Sequence, residues 1–314
     1  MRVFSRWGLP WFTFDRRPKA GRPDGAAREE RIRDLMRLAL GTAAGQCHPD
    51  RQQLLGLLRQ ESSPGTLAAR FPVVQRDEYL RGRNRHLNIQ SRDPGFRRFE
   101  YVLAPSTRTA ILMEGFVENA SVMCFPEGWD AEMAYLRPEC LAGPVTTLRR
   151  MAACVLNRGA YFPSVRRPIV AFTGLPFGDA GVLTNADRDL LWKAFGVPVL
   201  EYFLGHRHEV LARECDVRMG LHINQAQTLF EVIESARTRQ AELVVTSLAN
   251  THFPVVRLAS GLGGTLIGSE PCPCGFTGPR LLDIHSLAAT APKTRVRVAM
   301  PAAARAFRPT LADA

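Results

Sequence analysis

Apolar positions along the chain follow two periodicities. From Ala27 to about Arg59 they recur at helical spacing, first Leu35, Leu38 and Leu40, then Leu54, Leu55, Leu57 and Leu58. This predicts two helices, interrupted around Gly45 and Pro49, with a turn at Ser62 to Gly65. Further on, short apolar runs alternate with helical stretches. Ala110-Ile111-Leu112-Met113 predicts a strand, and Pro144 to Leu156 a helix with Pro144 in its first turn. Arg167 to Phe172 reads as a buried strand entering the turn Thr173-Gly174-Leu175-Pro176. Thr184-Asn185-Ala186-Asp187 has the form of a capping box, opening a helix that runs to Phe195 and stops at Gly196. Val197 to Phe203 is the next strand. Strand, helix and strand at this spacing predict a parallel α/β sheet.

After Tyr202 the pattern shortens to strands separated by turns: Glu209–Ala212, Leu221–Ile223, Thr228–Ile233, Leu243–Leu248 and Val255–Leu258. No long helix fits there. From about Ala288 the chain is Ala, Pro and Arg without periodicity. The expected organisation is a basic arm over residues 1–26, a helical opening and α/β region over 27–203, a β-rich region over 204–288 and a tail over 289–314.

Of the 314 residues, 46% are hydrophobic and 23% charged, ordinary values for a chain that buries a core. No apolar run is long enough to span a bilayer. The N-terminal stretch carries Arg2, Arg6, Arg16, Arg17, Lys19 and Arg22 but no secretory apolar segment, so the cytoplasm is the expected location. Trp7, Trp11, Phe12 and Phe14 leave a membrane-surface contact open. The net charge of +11 comes almost entirely from Arg, the lysines being Lys19, Lys193 and Lys293. A positive balance favours an anionic partner such as a nucleotide, while an even spread of Arg is the alternative. No basic run interleaves with aromatics in the folded part, which disfavours nucleic acid.

Seven cysteines without a secretory segment read as reduced thiols. Cys47, Cys124, Cys140 and Cys154 stand singly, and Cys154 is expected to be buried on a helix. The other three carry the candidate chemistry. Pro271-Cys272-Pro273-Cys274-Gly275 is a tight segment able to aim two thiolates at one ion. Cys215 and His222, seven residues apart across a turn at Met219-Gly220, can supply the other pair of a tetrahedral zinc site. Four protein ligands leave no open position, so such a zinc would be structural. The spacing alone also allows two free thiols, a redox pair, or an ordinary half-buried His222.

His206-Arg207-His208-Glu209 is a cluster able to do acid–base work, with an exposed polar turn as the alternative. Gly261-Leu262-Gly263-Gly264-Thr265 could cradle phosphate but reads better as a β-turn. Asp283 and His285 have no visible partner.

Four stretches resemble the phenylacetate–coenzyme A ligase branch of the adenylate-forming enzymes. They are Phe195 to Val199 continuing into Tyr202-Phe203-Leu204-Gly205; Glu214-Cys215 with Gly220-Leu221-His222-Ile223; Leu243 to Leu248 with Phe253 to Arg257; and Glu270-Pro271-Cys272-Pro273-Cys274-Gly275 with Pro279-Arg280-Leu281. Arg70 to Val73 and the Thr173 to Pro176 turn fit more loosely, so the resemblance covers about two thirds of the chain.

The resemblance implies an adenylate-forming large domain, a parallel α/β sheet plus a zinc-bearing β subdomain. It assigns the zinc to Cys215, His222, Cys272 and Cys274. It also implies ATP-dependent activation of a carboxylic acid to an acyl-adenylate, with magnesium, followed by transfer to a thiol. A nucleotide or acyl ligand would sit near Gly174, Tyr202 and Arg257.

Several of the family's catalytic parts have no counterpart. The nearest match to its phosphate loop, Ser106-Thr107-Arg108-Thr109, lacks glycine. Its Tyr-Gly-x-(Ser/Thr)-Glu motif stands here as Tyr202-Phe203-Leu204-Gly205-His206, without the carboxylate. Its ribose-binding Asp is Leu262. The small C-terminal domain that brings a lysine would start near residue 290, where only Lys293 stands in a short tail. The expectation is a shortened relative with adenylation impaired or lost, acting with partner proteins or still binding a ligand. Alternatives are an active acid–thiol ligase using His206 or His208, and a non-catalytic zinc-stabilised interaction module.

Overall fold

The computed structural model describes residues 25–41, 51–59, 71, 73–79, 107–114, 118, 120–126, 133, 136–158, 164–206, 208–235, 238–248, 255–268 and 270–287. The basic arm up to residue 24, the Ser62–Gly65 turn, Arg70, Ser106, Arg207 and the tail with Lys293 lie outside them.

Helices α1 (Gly25–Gly41) and α2 (Arg51–Arg59) stand where the helical spacing put them. The following elements build a nine-stranded sheet. In chain order these are β1 (Thr109–Ile111), β2 (Val122–Cys124), β3 (Cys140–Pro144), α3 (Val145–Arg158), β4 (Ile169–Gly174), a 3₁₀ turn (Gly178–Gly181), α4 (Asn185–Phe195) and β5 (Val199–Leu204). Strands β1 to β5 pair with one another in parallel. Their residues alternate between two faces, as the two-residue period of a strand requires. Ala110, Leu141, Ile169, Ala171 and Val199 pack under α3 and α4, while Ile111, Ala142, Val170, Phe172 and Leu200 form a second cluster. Both faces of β4 and β5 are buried, which is why these strands read as continuous apolar runs.

The α4 capping box is present as expected. Thr184 accepts from the Asp187 amide, the Asp187 carboxylate accepts from the Thr184 amide, and Gly196 closes the helix at φ 69°. Arg149 of α3 forks onto the same carboxylate and ties the two helices together. Cys154 corrects the sequence reading. It is exposed, because the buried stripe of α3 runs through Leu148, Met151, Ala152 and Val155.

The remaining strands are β6 (Val210–Glu214), β7 (Leu221–Ile223), β8 (Thr228–Glu234), β9 (Ala241–Ser247), β10 (Val255–Ala259), β11 (Leu262–Ile267) and β12 (Arg280–Ser286). Four of them extend the first sheet in antiparallel fashion, in the order β11-β12-β7-β6-β5-β4-β3-β1-β2. The residue 203–204 boundary drawn from sequence thus falls inside one continuous sheet. Among the described residues, β8, β9 and β10 form a separate sheet. Phe230, Leu243, Val245, Val255 and Leu258 of that sheet pack against Phe203, Leu211, Leu221, Leu262 and Leu281 of the large one. Its other side receives α1 and α2 through Ile32, Leu35, Met36, Leu58 and Val256.

The Gly261–Thr265 stretch is a strand edge rather than a turn. Gly263 leaves room for the His285 ring across the β11–β12 pair, where the register shifts.

Candidate metal centre and the neighbouring strand ends

Two turns meet at one end of the large sheet. Between β6 and β7, the Cys215 carbonyl accepts from the Arg218 amide at 2.9 Å, and Gly220 at φ +92° lets the chain reverse. Before β12, the Cys272 carbonyl accepts from the Gly275 amide at 2.8 Å, and the Cys272 amide donates to Phe276 at 2.7 Å. Pairing of β12 with β7, His222 opposite Arg280, brings the two turns together.

The ligand atoms of Cys215, His222, Cys272 and Cys274 then all lie within 4.8 Å of one another. Cys215 Sγ is 3.8 Å from Cys272 Sγ, and Cys274 Sγ is 3.7 Å from His222 Nε2. Around a tetrahedral zinc with Zn–S near 2.3 Å and Zn–N near 2.0 Å, sulfurs stand roughly 3.8 Å apart and sulfur to nitrogen roughly 3.6 Å. The arrangement fits the ion. Backbone amides also point at the sulfurs: Val217 at Cys215, Cys274 at Cys272, and Phe276 at Cys274. Such amides stabilise thiolate. The His222 ring stacks on Phe276, centroids 4.2 Å apart, which fixes its plane. Burial, then the charges of Arg280 and Arg213, push His222 down to about 4, so its nitrogen lone pair is available at neutral pH. Burial pushes Cys274 up to about 12. For Cys272 burial acts upward too, but hydrogen bonds from its neighbours and the Arg280 charge leave it lowered.

A buried charge cluster missed by sequence reasoning backs this centre. Arg188 of α4 forks onto Glu214, at 2.8 and 3.1 Å, and also donates to the Val199 carbonyl. Glu214 accepts from the Glu201 amide at 2.9 Å, and the Glu201 carboxylate is 3.6 Å from Arg188. Because Glu214 directly precedes Cys215, the cluster ties the metal turn to the α/β sheet. The available signal was Glu201 itself, a carboxylate inside the apolar run of β5.

The other expected site residues are placed as follows. Gly174 ends β4 at φ +99°, where a Cβ would stand 2.6 Å from the Leu204 carbonyl. Tyr202 sits on the adjacent strand, buried, with its hydroxyl bonded to Arg213. Arg257 is on β10 in the other sheet, where Nε meets Glu231 at 3.1 Å and Nη1 donates to the Phe71 carbonyl at 2.6 Å. Both side chains expected near a ligand, those of Tyr202 and Arg257, are therefore engaged inside the protein. His206 is buried and stacks on Tyr79 with centroids 4.9 Å apart, while His208 sits in the turn at φ 65°. Next to them the buried Glu209 accepts from Ser247 at 2.8 Å. Leu262 is 1% exposed and packs with Phe203 and Leu175. The lysine among the described residues is Lys193, exposed in the last turn of α4.

No protein-family model and no curated protein matches the chain. Solved structures do match. 2-Hydroxyisobutyryl-CoA ligase in its postadenylation state, holding R3-HIB-AMP, superposes with a TM-score of 0.55 at 16% identity, covering 84% of this chain and 68% of the ligase. The open conformation of that ligase, with 2-HIB-AMP and CoA, gives 0.53 at 15% identity, covering 84% and 69%. A mutant form of coronafacic acid ligase from Pectobacterium brasiliense is more distant, at TM-score 0.35 and 12% identity over 59% of this chain and 40% of that one. The fold thus resembles that of 2-hydroxyisobutyryl-CoA ligase.

Proposed function

We propose that the chain is a divergent relative of the phenylacetate–coenzyme A ligase branch, a zinc-stapled scaffold in which acyl-adenylate formation is impaired or lost. The observation that carries the second part is Leu262. Where the resemblance calls for a ribose-binding carboxylate, a leucine lies buried in the core and can accept no hydrogen bond. The histidine at the position of the magnesium-linked glutamate points the same way. Cys215, His222, Cys272 and Cys274 hold zinc in a closed site. The ion supplies cross-linking of the two turns and no reaction chemistry. The three thiols fit a reducing compartment such as the cytoplasm. No helix among the described residues is long and apolar enough to cross a membrane.

The test is carboxylate-dependent pyrophosphate exchange by the purified chain across a panel of aliphatic and aromatic acids. The reading expects none above background, and robust exchange with any acid would overturn it. The exposed apolar pair Val217 and Met219 on the metal turn favours, as a second reading, a non-catalytic interaction module. Calorimetric titration with ATP and AMP separates the two, since only the first retains micromolar nucleotide binding.

A further inference from the structure

A polar cavity of about 150 Å³ lies away from the metal centre, with Gln75, Arg76, Asp77, Gly178, Glu242 and Ser260 in its walls. It is built where residues 74–79 run beside β10. Val74 exchanges backbone bonds with Arg257 and Ala259 there, and the 3₁₀ turn closes one side. Gly174, Tyr202 and Arg257 do not line it.

Two of its charges form no ion pair among the described residues. The half-buried Arg76 guanidinium reaches only the carbonyls of Leu175 and Pro176, at 3.3 and 3.4 Å, the long limit for hydrogen bonds. It forms no ion pair among the described residues. Gly178 makes space for it, because a Cβ there would stand 3.2 Å from Arg76 Cζ. Glu242, 3% exposed, accepts from the Gly261 amide at 2.9 Å and likewise forms no ion pair among the described residues. Buried charges are ordinarily paired. Here a cation and an anion share one cavity without meeting each other, and Asp77 adds a second carboxylate at its wall.

Size and charge narrow the occupant. A cavity near 150 Å³ takes a molecule of about benzene size, far smaller than a nucleotide. The two carboxylates oppose free phosphate, and the polar walls oppose a hydrocarbon. We propose that this cavity binds a small zwitterion of the amino-acid class, its carboxylate on the Nη edge of Arg76 and its ammonium between Glu242 and Asp77. Arg forks suit carboxylates, and charge-assisted bonds are about twice as strong as neutral ones. The proposal goes beyond the adenylation reading and rests on none of its residues.

The experiment is calorimetric titration of the full chain at pH 7.5 with glycine, L-alanine, L-serine and β-alanine, alongside acetate, ethylammonium and AMP. At least one amino acid binds saturably, at least tenfold tighter than acetate or ethylammonium, and AMP does not compete. Arg76→Met and Glu242→Gln each weaken it at least tenfold. Asp77→Asn, on the exposed rim, weakens it severalfold. Failure of all four amino acids to bind, equal binding of acetate or ethylammonium, or competition by AMP would overturn the assignment. Absence of pyrophosphate exchange bears on none of these readings, so the two accounts fail separately.

Discussion

Replacing Glu201 by Gln removes a carboxylate that β5 buries beside Glu214, Arg188 and Thr173. Burial first, then the neighbouring Glu214 charge, push Glu201 from its ordinary value of 4.5 up to about 7, against the pull of Thr173 and Arg188. Because the folded-state value lies above the unfolded one, folding takes up a proton between them. Its contribution to stability is complete below about pH 4.5 and is lost as pH rises through about 7. At about 1.4 kcal/mol per unit, that loss is at most roughly 3 kcal/mol.

His222 slopes the other way. Its value is depressed to about 4, so its contribution is gained as pH rises from there to 6.5. The Glu201 effect must therefore be read as a difference between two proteins that share His222. Urea unfolding of wild type and Glu201→Gln at pH 5, 6, 7 and 8 provides it. We expect near-equal stabilities at pH 5 and a variant more stable than wild type by up to about 3 kcal/mol at pH 8. A stability difference that stays flat across that range would show that Glu201 is not the group whose ionisation destabilises the folded chain.

Three other substitutions probe the same architecture. Leu262→Asp puts a carboxylate among Phe203, Leu175 and Leu281, and should cost several kcal/mol in urea unfolding without restoring carboxylate-dependent pyrophosphate exchange. Arg257→Met loses the bonds to Glu231 and the Phe71 carbonyl and should destabilise by about 2 kcal/mol, read from the unfolding midpoint at constant slope. Cys272→Ser should release zinc to a colorimetric chelator at least tenfold more readily than wild type, and chelation should lower the wild-type melting temperature by more than that of the variant.

The elements legible in the sequence are those whose signals are local. The Thr184–Asp187 capping box with its Gly196 stop, the helical spacing of α1 and α2, and the apolar runs of β4 and β5 are each set within a few residues. The grouping of Cys215, His222, Cys272 and Cys274 was expected mainly from the family resemblance, since the Cys-x-Cys spacing alone also allows free thiols or a redox pair, and their meeting depends on the β7–β12 pairing. Pairing across long separations was not legible. That β6, β7, β12 and β11 continue the parallel sheet is decided by partners up to about sixty residues away. Strand β11 was hidden by its two glycines, which disfavour strands until the His285 ring and Leu243 claim the space their side chains would take. The Arg188–Glu214–Glu201 cluster and the Arg76–Glu242 cavity each gather residues from separate segments, and no spacing announces them.

X-ray absorption at the zinc edge, with metal content measured on the same purified chain, tests for the ion between the two turns. The prediction is one zinc per chain with three sulfurs near 2.3 Å and one nitrogen near 2.0 Å. A chain that folds and melts unchanged without metal, or an ion coordinated by oxygen, would contradict it.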